Sequence, residues 1–281
     1  MEILDGKALS DKIKTDLKIQ SETLKQEGVV PALAVILVGD DPASQTYVNT
    51  KEKACNAVGI TSIMHRVCAS TSEDEVLKII DSLNKNPEVD GILVQLPLPK
   101  HIDTSKVIEA INPDKDVDGF HPFNVGRLVA GMDGFVPCTP FGVMKLLEAY
   151  GVNVRGMDAC VIGASNIVGK PMMNLLLNAS ATVEVCRSST KNLKEHTLKA
   201  DLIVVGVGKI NLLTADMVKE GAIVVDVGIN RNEEGKIVGD VDFANVSPKC
   251  SYITPVPGGV GPMTIAMLLT NTIKSASRRQ K

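Results

Sequence analysis

The stretch VIGASNIVGKP, residues 161–171, is the clearest indication of how this chain folds. An apolar run ends at Gly163, a turn of small residues follows, and a helix is predicted to begin near Gly169. Such a turn leaves backbone N–H groups and a helix N-terminus facing an anion, as the pyrophosphate of a dinucleotide requires. The spacing is G-x-S-x-x-x-G rather than G-x-G-x-x-G, and Pro171 stands where a Walker A loop has Ser or Thr. The stretch predicts a dinucleotide site, with an ordinary strand-to-helix turn as the alternative.

A second sign of a cofactor is VCRSST, residues 185–190, at the end of the next predicted strand. In a nicotinamide-binding fold this position contacts the adenosine ribose. An acidic residue there suits the free 2′-hydroxyl of NAD, whereas Arg and Ser suit the 2′-phosphate of NADP. Arg187 and Ser188 therefore favour NADP, and the alternative is that Arg187 is an ordinary surface residue.

Apolar runs alternate with segments of helical periodicity along the chain, which predicts βαβ units and parallel sheets. The fold class is therefore α/β, with a second βα series from about Met157 that forms a Rossmann-like, doubly wound parallel sheet. Before it, residues 111–138 form a long irregular connection, and such long segments are usually functional or interdomain. The helix that follows is predicted to have Thr139 as its N-cap and Pro140 at its first position.

Composition excludes several classes of function. A net charge of −3, 3% aromatic residues and no Trp leave no basic, base-stacking surface for nucleic acid. No apolar run approaches the roughly 18 residues that span a bilayer, and the charged start MEILDGKALSDKIK is unlike a signal peptide. The 6 cysteines and 4 histidines are dispersed, so we expect reduced thiols in a cytoplasmic protein and no metal site.

Tyr47-x-x-x-Lys51 places two ionisable side chains one turn apart on a helix. The same spacing marks the catalytic pair of short-chain dehydrogenases. In that family, however, the pair follows the glycine turn, whereas here it precedes Gly163 by over a hundred residues. The pair is therefore either another catalytic pair or a half-exposed helix face.

Three further segments carry polar or flexible residues at positions of interest. Gln95 stands inside the apolar strand GILVQLPLP, where a buried amide must be hydrogen-bonded. Asp116 and Asp118 stand in the long connection, where paired carboxylates are usually solvated turn residues. The segment PVPGGVGPMT, residues 255–264, allows backbone to approach a ligand closely, or forms a stiff crossover.

Taken together, these segments resemble the methylenetetrahydrofolate dehydrogenase/cyclohydrolase family over essentially the whole chain. The resemblance is carried, in the family's order and spacing, by VGDDPASQTYVNTKEKAC, GILVQLPLP, INPDKDVDGFHPFNVGRL, PCTPFGVMKLLE, VIGASNIVGKP, DVGIN and TPVPGGVGPMT. It implies oxidation of 5,10-methylenetetrahydrofolate with NADP to the methenyl form, followed by hydrolysis to 10-formyltetrahydrofolate in one-carbon metabolism. It also implies a homodimer.

The same resemblance implies the domain organisation. Residues 1–138, completed by a C-terminal helix over 262–281, would form the substrate domain. Residues 139–261 would form the NAD(P)-binding domain, and folate would lie in an interdomain cleft.

Residue roles follow from the resemblance by position. Lys51 is implied as the catalytic acid/base group, Tyr47 as its neighbour at the folate, Gln95 as the partner of the lysine, and Asp118 as the anchor of the pterin. The substrate-binding set consists of Ser44, Tyr47, Lys51, Val94, Gln95, Leu96, Asp118, Pro257, Gly258, Gly259, Val260 and Gly261. The cofactor-binding set consists of Gly163, Ala164, Ser165, Arg187, Ser188 and Ile229.

Ala164 is a departure from many family members, which have Arg after the first glycine, where it reaches toward the 2′-phosphate. Arg187 could supply that charge from the neighbouring strand; otherwise discrimination between NADP and NAD should weaken. A monofunctional NAD-dependent dehydrogenase and a non-catalytic nucleotide sensor remain as alternatives. Hydrolysis by a lysine requires a lowered pKa, which burial, a cationic substrate and an amide partner favour.

Overall fold

The computed structural model describes residues 1–280, so position 281 of the expected 262–281 helix lies outside the described residues. Contacts divide the chain into two compact units. We call residues 12–136, with the segment from 268 onward, the three-stranded unit, and residues 1–11 with 137–267 the six-stranded unit. This grouping differs from the expected domain boundaries mainly in residues 1–11, because β1 (Glu2–Ile3) pairs with a strand near the C-terminus and Leu4 is fully buried beside it.

The elements of the described residues follow in chain order. The strands are β1 Glu2–Ile3, β2 Ala32–Val38, β3 Thr61–Val67, β4 Gly91–Val94, β5 Asp158–Ile162, β6 Thr182–Cys186, β7 Leu202–Val205, β8 Ala222–Asp226, β9 Asn230–Arg231, β10 Ile237–Val238 and β11 Cys250–Ile253. The α-helices are α1 Gly6–Gln26, α2 Pro42–Val58, α3 Glu73–Lys85, α4 Thr104–Glu109, α5 Pro122–Val129, α6 Cys138–Ala149, α7 Gly169–Asn178, α8 Leu193–Thr197, α9 Phe243–Val246 and α10 Val260–Ala276.

The three-stranded unit is built on a parallel sheet in the order β3-β2-β4. Every residue of the central strand β2 is buried, as its continuous apolar sequence predicts for a strand covered on both faces. Helix α3 begins with a capping box, in which Ser72 and Glu75 satisfy each other's backbone N–H groups. The parallel βα architecture predicted for this half of the chain is therefore present.

The segment expected to be irregular, 111–138, contains helix α5. Its N-cap is His121, whose Nδ1 accepts the N–H of Phe123 at 3.0 Å. Pro122 at the first helical position suits a helix start, because its missing N–H would lack a partner there anyway. The sequence prediction missed this helix because histidine is not among the usual capping residues.

The predicted cap of α6 was wrong. The helix begins at Cys138 with Pro137 as N-cap and has no side-chain cap. Thr139 lies inside the helix, and its hydroxyl hydrogen-bonds to that of Thr264 at 3.0 Å. A contact between residues so distant in sequence has no local signal.

The segment from 268 onward completes the three-stranded unit through polar contacts. Asn271 donates to the carbonyl oxygens of Val117 at 2.8 Å and Val136 at 3.1 Å. Ser275 donates to the carbonyl oxygen of Asp90 at 2.7 Å. The end of the chain is therefore an integral part of this unit.

The six-stranded unit has an all-parallel sheet in the order β1-β11-β8-β7-β5-β6. If β5, β6, β7, β8 and β11 are numbered 1 to 5 in chain order, their order across the sheet, read from β6, is 2-1-3-4-5. This is a doubly wound arrangement. The strand order reverses between β5 and β7, and ligands of such sheets bind beyond the carboxyl ends of the strands at that point. The Rossmann-like prediction is confirmed for this unit.

A hydrogen bond of its last side chain sets where β8 ends. Strand β8 ends at Asp226, because the carboxylate of that residue accepts the N–H of Gly228 at 2.9 Å and turns the chain. Ile229 therefore lies beyond the strand rather than within it. Residues 214–221, between β7 and β8, contain a single 3-10 turn, Ala215–Met217.

Within residues 1–280, no helix combines the length and the apolar character that crossing a bilayer demands.

Candidate active site

Lys51 and Gln95 meet in the three-stranded unit. Lys51 Nζ donates a hydrogen bond to Gln95 Oε1 over 3.1 Å. Gln95 directly follows β4, rather than lying inside a strand as predicted, and its N–H donates to the carbonyl oxygen of Ile36 at 2.9 Å. Its Nε2 donates to the carbonyl oxygen of Leu96 at 2.7 Å. Because a carbonyl oxygen only accepts, this second bond turns Oε1 of Gln95 toward the lysine.

Helix α2 positions Lys51 and Tyr47. Its N-cap, Asp41, accepts the N–H of Ser44 at 2.7 Å, and this bond lowers the pKa of the Asp41 carboxyl. Ser44 and Val48 lie on the buried face of the helix, whereas the side chain of Tyr47 is 41% exposed and that of Lys51 is half-buried. Tyr47 and Lys51 are therefore neighbours on a stripe at the edge of the buried face, where both side chains remain accessible.

Cys55 lies one turn beyond Lys51 on α2 and is fully buried. Burial raises the pKa of its thiol to about 12. Because the thiolate is the nucleophilic form, Cys55 does not compete with Lys51 as a reactive group.

Asp116 holds the turn of residues 116–121, which begins beside β4. It forms an isolated parallel bridge with Ile92 of β4 and is buried. Its carboxylate accepts N–H groups from Gly119 at 3.2 Å, Phe120 at 3.2 Å and His121 at 2.8 Å, and the amide of Asn124 at 2.9 Å. Burial raises the pKa of this carboxyl to about 6 despite these bonds. Asp116 is thus engaged in holding its own turn.

Asp118 is carried by the turn that Asp116 holds, and its side chain is half-buried. The two aspartates that looked equivalent in the sequence therefore differ in the structure: Asp116 is buried and holds the turn by its hydrogen bonds, whereas Asp118 is half-buried in the same turn. Val94 is buried and Leu96 is half-buried, and the bond between Leu96 and Pro97 is cis.

The glycine turn of the six-stranded unit follows β5 at the reversal of strand order. Gly163 has φ 118°, and a Cβ there would lie 2.6 Å from the carbonyl oxygen of Gly206. Only glycine fits this combination of backbone and space. Ser165 Oγ accepts the N–H groups of Val168 at 3.1 Å and Gly169 at 3.4 Å, where α7 begins. The exposed turn at a helix N-terminus fits a dinucleotide phosphate.

Arg187 and Ser188 directly follow β6 and are exposed. Gly163 donates its N–H to the carbonyl oxygen of Cys186 at 2.8 Å, so this segment adjoins the glycine turn. The N–H of Arg187 donates to Thr190 Oγ1 at 2.9 Å, which fixes the backbone of the turn. The arginine is placed at the strand end where an adenosine ribose is expected.

Residues 255–261 form a tight turn into α10 in the same unit. The N–H of Gly259 donates to the carbonyl oxygen of Pro255 at 2.9 Å, and the carbonyl oxygen of Gly258 accepts the N–H of Lys7 at 2.8 Å. Pro257 is exposed and Gly261 is half-buried. The candidate residues thus fall into two groups, one in the three-stranded unit and one in the six-stranded unit.

Among residues 1–280, no group of three or more His, Cys, Asp or Glu side chains is arranged to hold a metal ion.

Two family profiles account for most of the chain. Residues 4–118 match "Tetrahydrofolate dehydrogenase/cyclohydrolase, catalytic domain", and residues 137–280 match "Tetrahydrofolate dehydrogenase/cyclohydrolase, NAD(P)-binding domain". The chain belongs to this family. The family predicted from the motifs is confirmed, and with it the enzyme class and a nicotinamide dinucleotide cofactor.

Full-length relatives support the assignment to the tetrahydrofolate dehydrogenase/cyclohydrolase family. "Bifunctional protein FolD" of a Nitratiruptor species is 66% identical over 282 residues, which is 100% of both chains. The crystal structure of the bifunctional enzyme FolD, methylenetetrahydrofolate dehydrogenase/cyclohydrolase, from Campylobacter jejuni has a TM-score of 0.99 at 61% identity, covering 99% of each chain. The Trypanosoma brucei enzyme of this family, complexed with NADP cofactor and an inhibitor, has a TM-score of 0.95 at 36% identity, covering 99% of this chain and 98% of that one.

Three buried carboxylates organise these sites: Asp116 in the three-stranded unit, which sequence reasoning took for a solvated turn residue, and Asp226 and Asp240 in the six-stranded unit, which it missed. Burial raises the pKa of Asp226 to about 6. Each of the three stands next to a glycine-containing turn in the sequence, and an acidic residue in such a context is a weak signal of an internal hydrogen-bond acceptor.

Proposed function

We propose that this chain oxidises 5,10-methylenetetrahydrofolate to the 5,10-methenyl form with NADP and then hydrolyses that product to 10-formyltetrahydrofolate. The observation that carries the proposal is the contact of Lys51 Nζ with Gln95 Oε1 at 3.1 Å in a chain of this family. NADP is bound in the Trypanosoma brucei relative, and Arg187 and Ser188 of this chain, both exposed, would be the residues that meet its 2′-phosphate.

The dehydrogenase step needs positioning more than proton transfer. A hydride leaves the methylene carbon while positive charge develops over N5, that carbon and N10, so no general base is required. NADP, when bound, supplies the nicotinamide that accepts the hydride. Gly163, Ala164 and Ser165 would hold the phosphates, and the exposed side chain of Ile229 would lie by the nicotinamide.

The cyclohydrolase step needs proton transfer. Water adds to the cationic methenyl carbon, a proton leaves that water, and a proton must reach the departing ring nitrogen. Lys51 is the candidate for moving these protons, because Gln95 orients its nitrogen and Tyr47 stands one turn away on the same helix edge. Ser44, Val94 and Leu96 of the three-stranded unit would shape the folate site.

A direct test of the function follows methylenetetrahydrofolate spectroscopically with NADP and NAD in parallel. The proposal expects the methenyl intermediate to form faster with NADP and then to decay by hydrolysis. Methenyl that forms but is not hydrolysed by the enzyme would indicate the monofunctional alternative, and binding of NADP without turnover would indicate a sensor.

Replacing Asp118 with asparagine is expected to weaken folate binding by about 10- to 100-fold, the value of a charged hydrogen bond of roughly 1.5–3 kcal/mol. NADP binding should stay within about twofold, because Asp118 belongs to the other unit. KM values for both substrates, with titration of a folate analogue, measure the effect.

The matched control is Asp114→Asn, since the side chain of Asp114 is 80% exposed in the same segment. A larger loss of NADP affinity than of folate affinity in Asp118→Asn would contradict the pterin role.

Replacing Arg187 with alanine is expected to reduce kcat/KM for NADP by about 10- to 100-fold and to leave the value for NAD nearly unchanged. On the cofactor, the guanidinium would contact only the 2′-phosphate, which NAD lacks, and such charge-assisted bonds are worth roughly 1.5–3 kcal/mol. Arg155→Ala is the control. Arg155 is an exposed arginine that precedes β5, so it lies at the amino end of the parallel strands, whereas Arg187 lies at the carboxyl end. Equal losses with both cofactors would exclude Arg187 as the 2′-phosphate contact.

We further propose a cytoplasmic homodimer. The 6 cysteines are free, which fits a reducing compartment. Strand β6 is an edge of the six-stranded sheet with half-buried Val183 and Val185, and an edge strand needs a cover or a partner. The mass in solution, measured by light scattering, tests the assembly.

A further inference from the structure

Asp240 collects three consecutive backbone N–H groups of the segment after β7. Its Oδ2 accepts Val207 N at 2.6 Å and Gly208 N at 3.0 Å, and its Oδ1 accepts Lys209 N at 2.8 Å. The residue is fully buried. Consecutive N–H groups that point to one place form a concave anion site, and here the protein fills that site with its own carboxylate.

The same carboxylate also reaches the segment after β8. Oδ1 accepts the side-chain amide of Asn230 at 2.9 Å. A Cβ on Gly228 would overlap the carboxyl group of Asp240, so the chain beside Ile229 packs directly against it. One side chain therefore holds the segments after β7 and β8 together.

Asp226 in turn fixes the backbone of Asp240. It accepts the N–H groups of Asp240 at 3.0 Å and Val241 at 2.9 Å, in addition to that of Gly228. Asp240 is consequently held at its main chain and cannot follow the segments that it binds. The position of Asp240 is therefore set by Asp226 and not by the segments after β7 and β8.

The two segments carry exposed apolar side chains at the carboxyl edge of the sheet. Val207 is 43% exposed and Ile229 is 48% exposed. The carbonyl oxygen of Gly206, beside Val207, also abuts Gly163 of the glycine turn. Asp240 thus sets the distance between the two apolar side chains and ties both to the turn that would hold the cofactor phosphates.

We propose that Asp240 is a positioning residue for hydride transfer, which fixes Val207 and Ile229 so that the nicotinamide is held in line with the methylene carbon. The proposal rests on the proposed function, in particular on Ile229 lying by the nicotinamide.

The test compares both activities of the holoenzyme in Asp240→Asn, which keeps the size of the side chain but turns an NH2 group toward N–H donors. Dehydrogenase kcat is expected to fall about 10- to 100-fold, since small misplacements of reactants have effects of this size. The isotope effect with methylene-deuterated substrate should rise, because hydride transfer becomes slower than the other steps. Hydrolysis of added methenyltetrahydrofolate needs no hydride transfer and should stay within about twofold.

Asp242→Asn is the matched control, since the half-exposed Asp242 bonds to Asn245 on the protein surface. If Asp240→Asn fails to fold, Asn230→Ala decides: it removes one bond between the segments and should show the same pattern with a smaller effect. Parallel loss of both activities, or an unchanged isotope effect, overturns the proposal. A wild-type enzyme without NADP-dependent turnover would instead refute the proposed function.

Discussion

Replacing Lys51 with methionine is expected to lower the hydrolysis of methenyltetrahydrofolate by a factor on the order of 10²–10⁴, the usual contribution of a general acid or base. Methionine keeps an unbranched side chain of similar length and removes its charge and its protons. Binding of NADPH should be unchanged, because the glycine turn is in the other unit. The rate of methenyl decay and a fluorescence titration with NADPH measure the two effects.

Dehydrogenase activity should survive the Lys51→Met substitution better than hydrolysis does, since hydride departure needs no proton acceptor. Lys53→Met is the matched control, because Lys53 lies on the same helix with an exposed side chain. Unchanged hydrolysis in Lys51→Met would remove the lysine from the mechanism.

Replacing Arg279 with alanine is expected to destabilise the three-stranded unit by about 2–3 kcal/mol, somewhat less than for a fully buried pair because Arg279 is partly exposed. Arg279 Nε lies 2.7 Å from Asp90 Oδ1, and its Nη2 donates to Asp90 Oδ2 at 2.9 Å and to the carbonyl oxygen of Val30 at 2.7 Å. The Asp90 side chain is 1% exposed, so the substitution leaves a buried carboxylate without the cation that contacts it directly. Urea denaturation followed by far-UV circular dichroism measures the loss.

The loss should depend on pH. Burial raises the pKa of Asp90 above the ordinary 3.8, and Arg279 opposes that rise. Without Arg279 the pKa of Asp90 climbs further, so the Asp90 part of the destabilisation is absent where that carboxyl is protonated in both the folded and the unfolded states, and it grows as the pH rises through the folded-state pKa. The bond to the Val30 carbonyl oxygen is lost at every pH. Lys85→Ala is the control, because its ion pair with Asp81 is exposed and worth at most about 0.5 kcal/mol. A loss that does not vary between about pH 4 and 8 would show that Asp90 is not responsible.

The parts of the fold that follow from local patterns could be predicted from the sequence. The apolar run of β2 and the glycine turn after β5 are each encoded within a few residues, so their positions were evident. The Tyr47-x-x-x-Lys51 spacing was equally plain, but the proximity of Gln95 came only from the family resemblance.

The parts that depend on distant partners could not be predicted. Thr139 was a good capping residue by its sequence context, yet its hydroxyl is used by Thr264. Asp116 and Asp118 were indistinguishable until the structure showed four donors converging on the first. Asp240 attracted no attention, because its partners at 207–209 and 230 come from other loops. Tertiary contacts decide the function of such polar residues, and a local pattern does not contain them.

The bond between Arg279 and Asp90 joins residues 189 positions apart. During synthesis at about 5–20 residues per second, Asp90 is added to the chain roughly 10–40 s before Arg279. Over that interval residues 137–267 of the six-stranded unit are made. The carbonyl oxygens of Val117 and Val136 likewise wait for their hydrogen-bond donor, Asn271. The half of the chain that is translated first is therefore the half that obtains its last contacts only when residues 268 onward have been made.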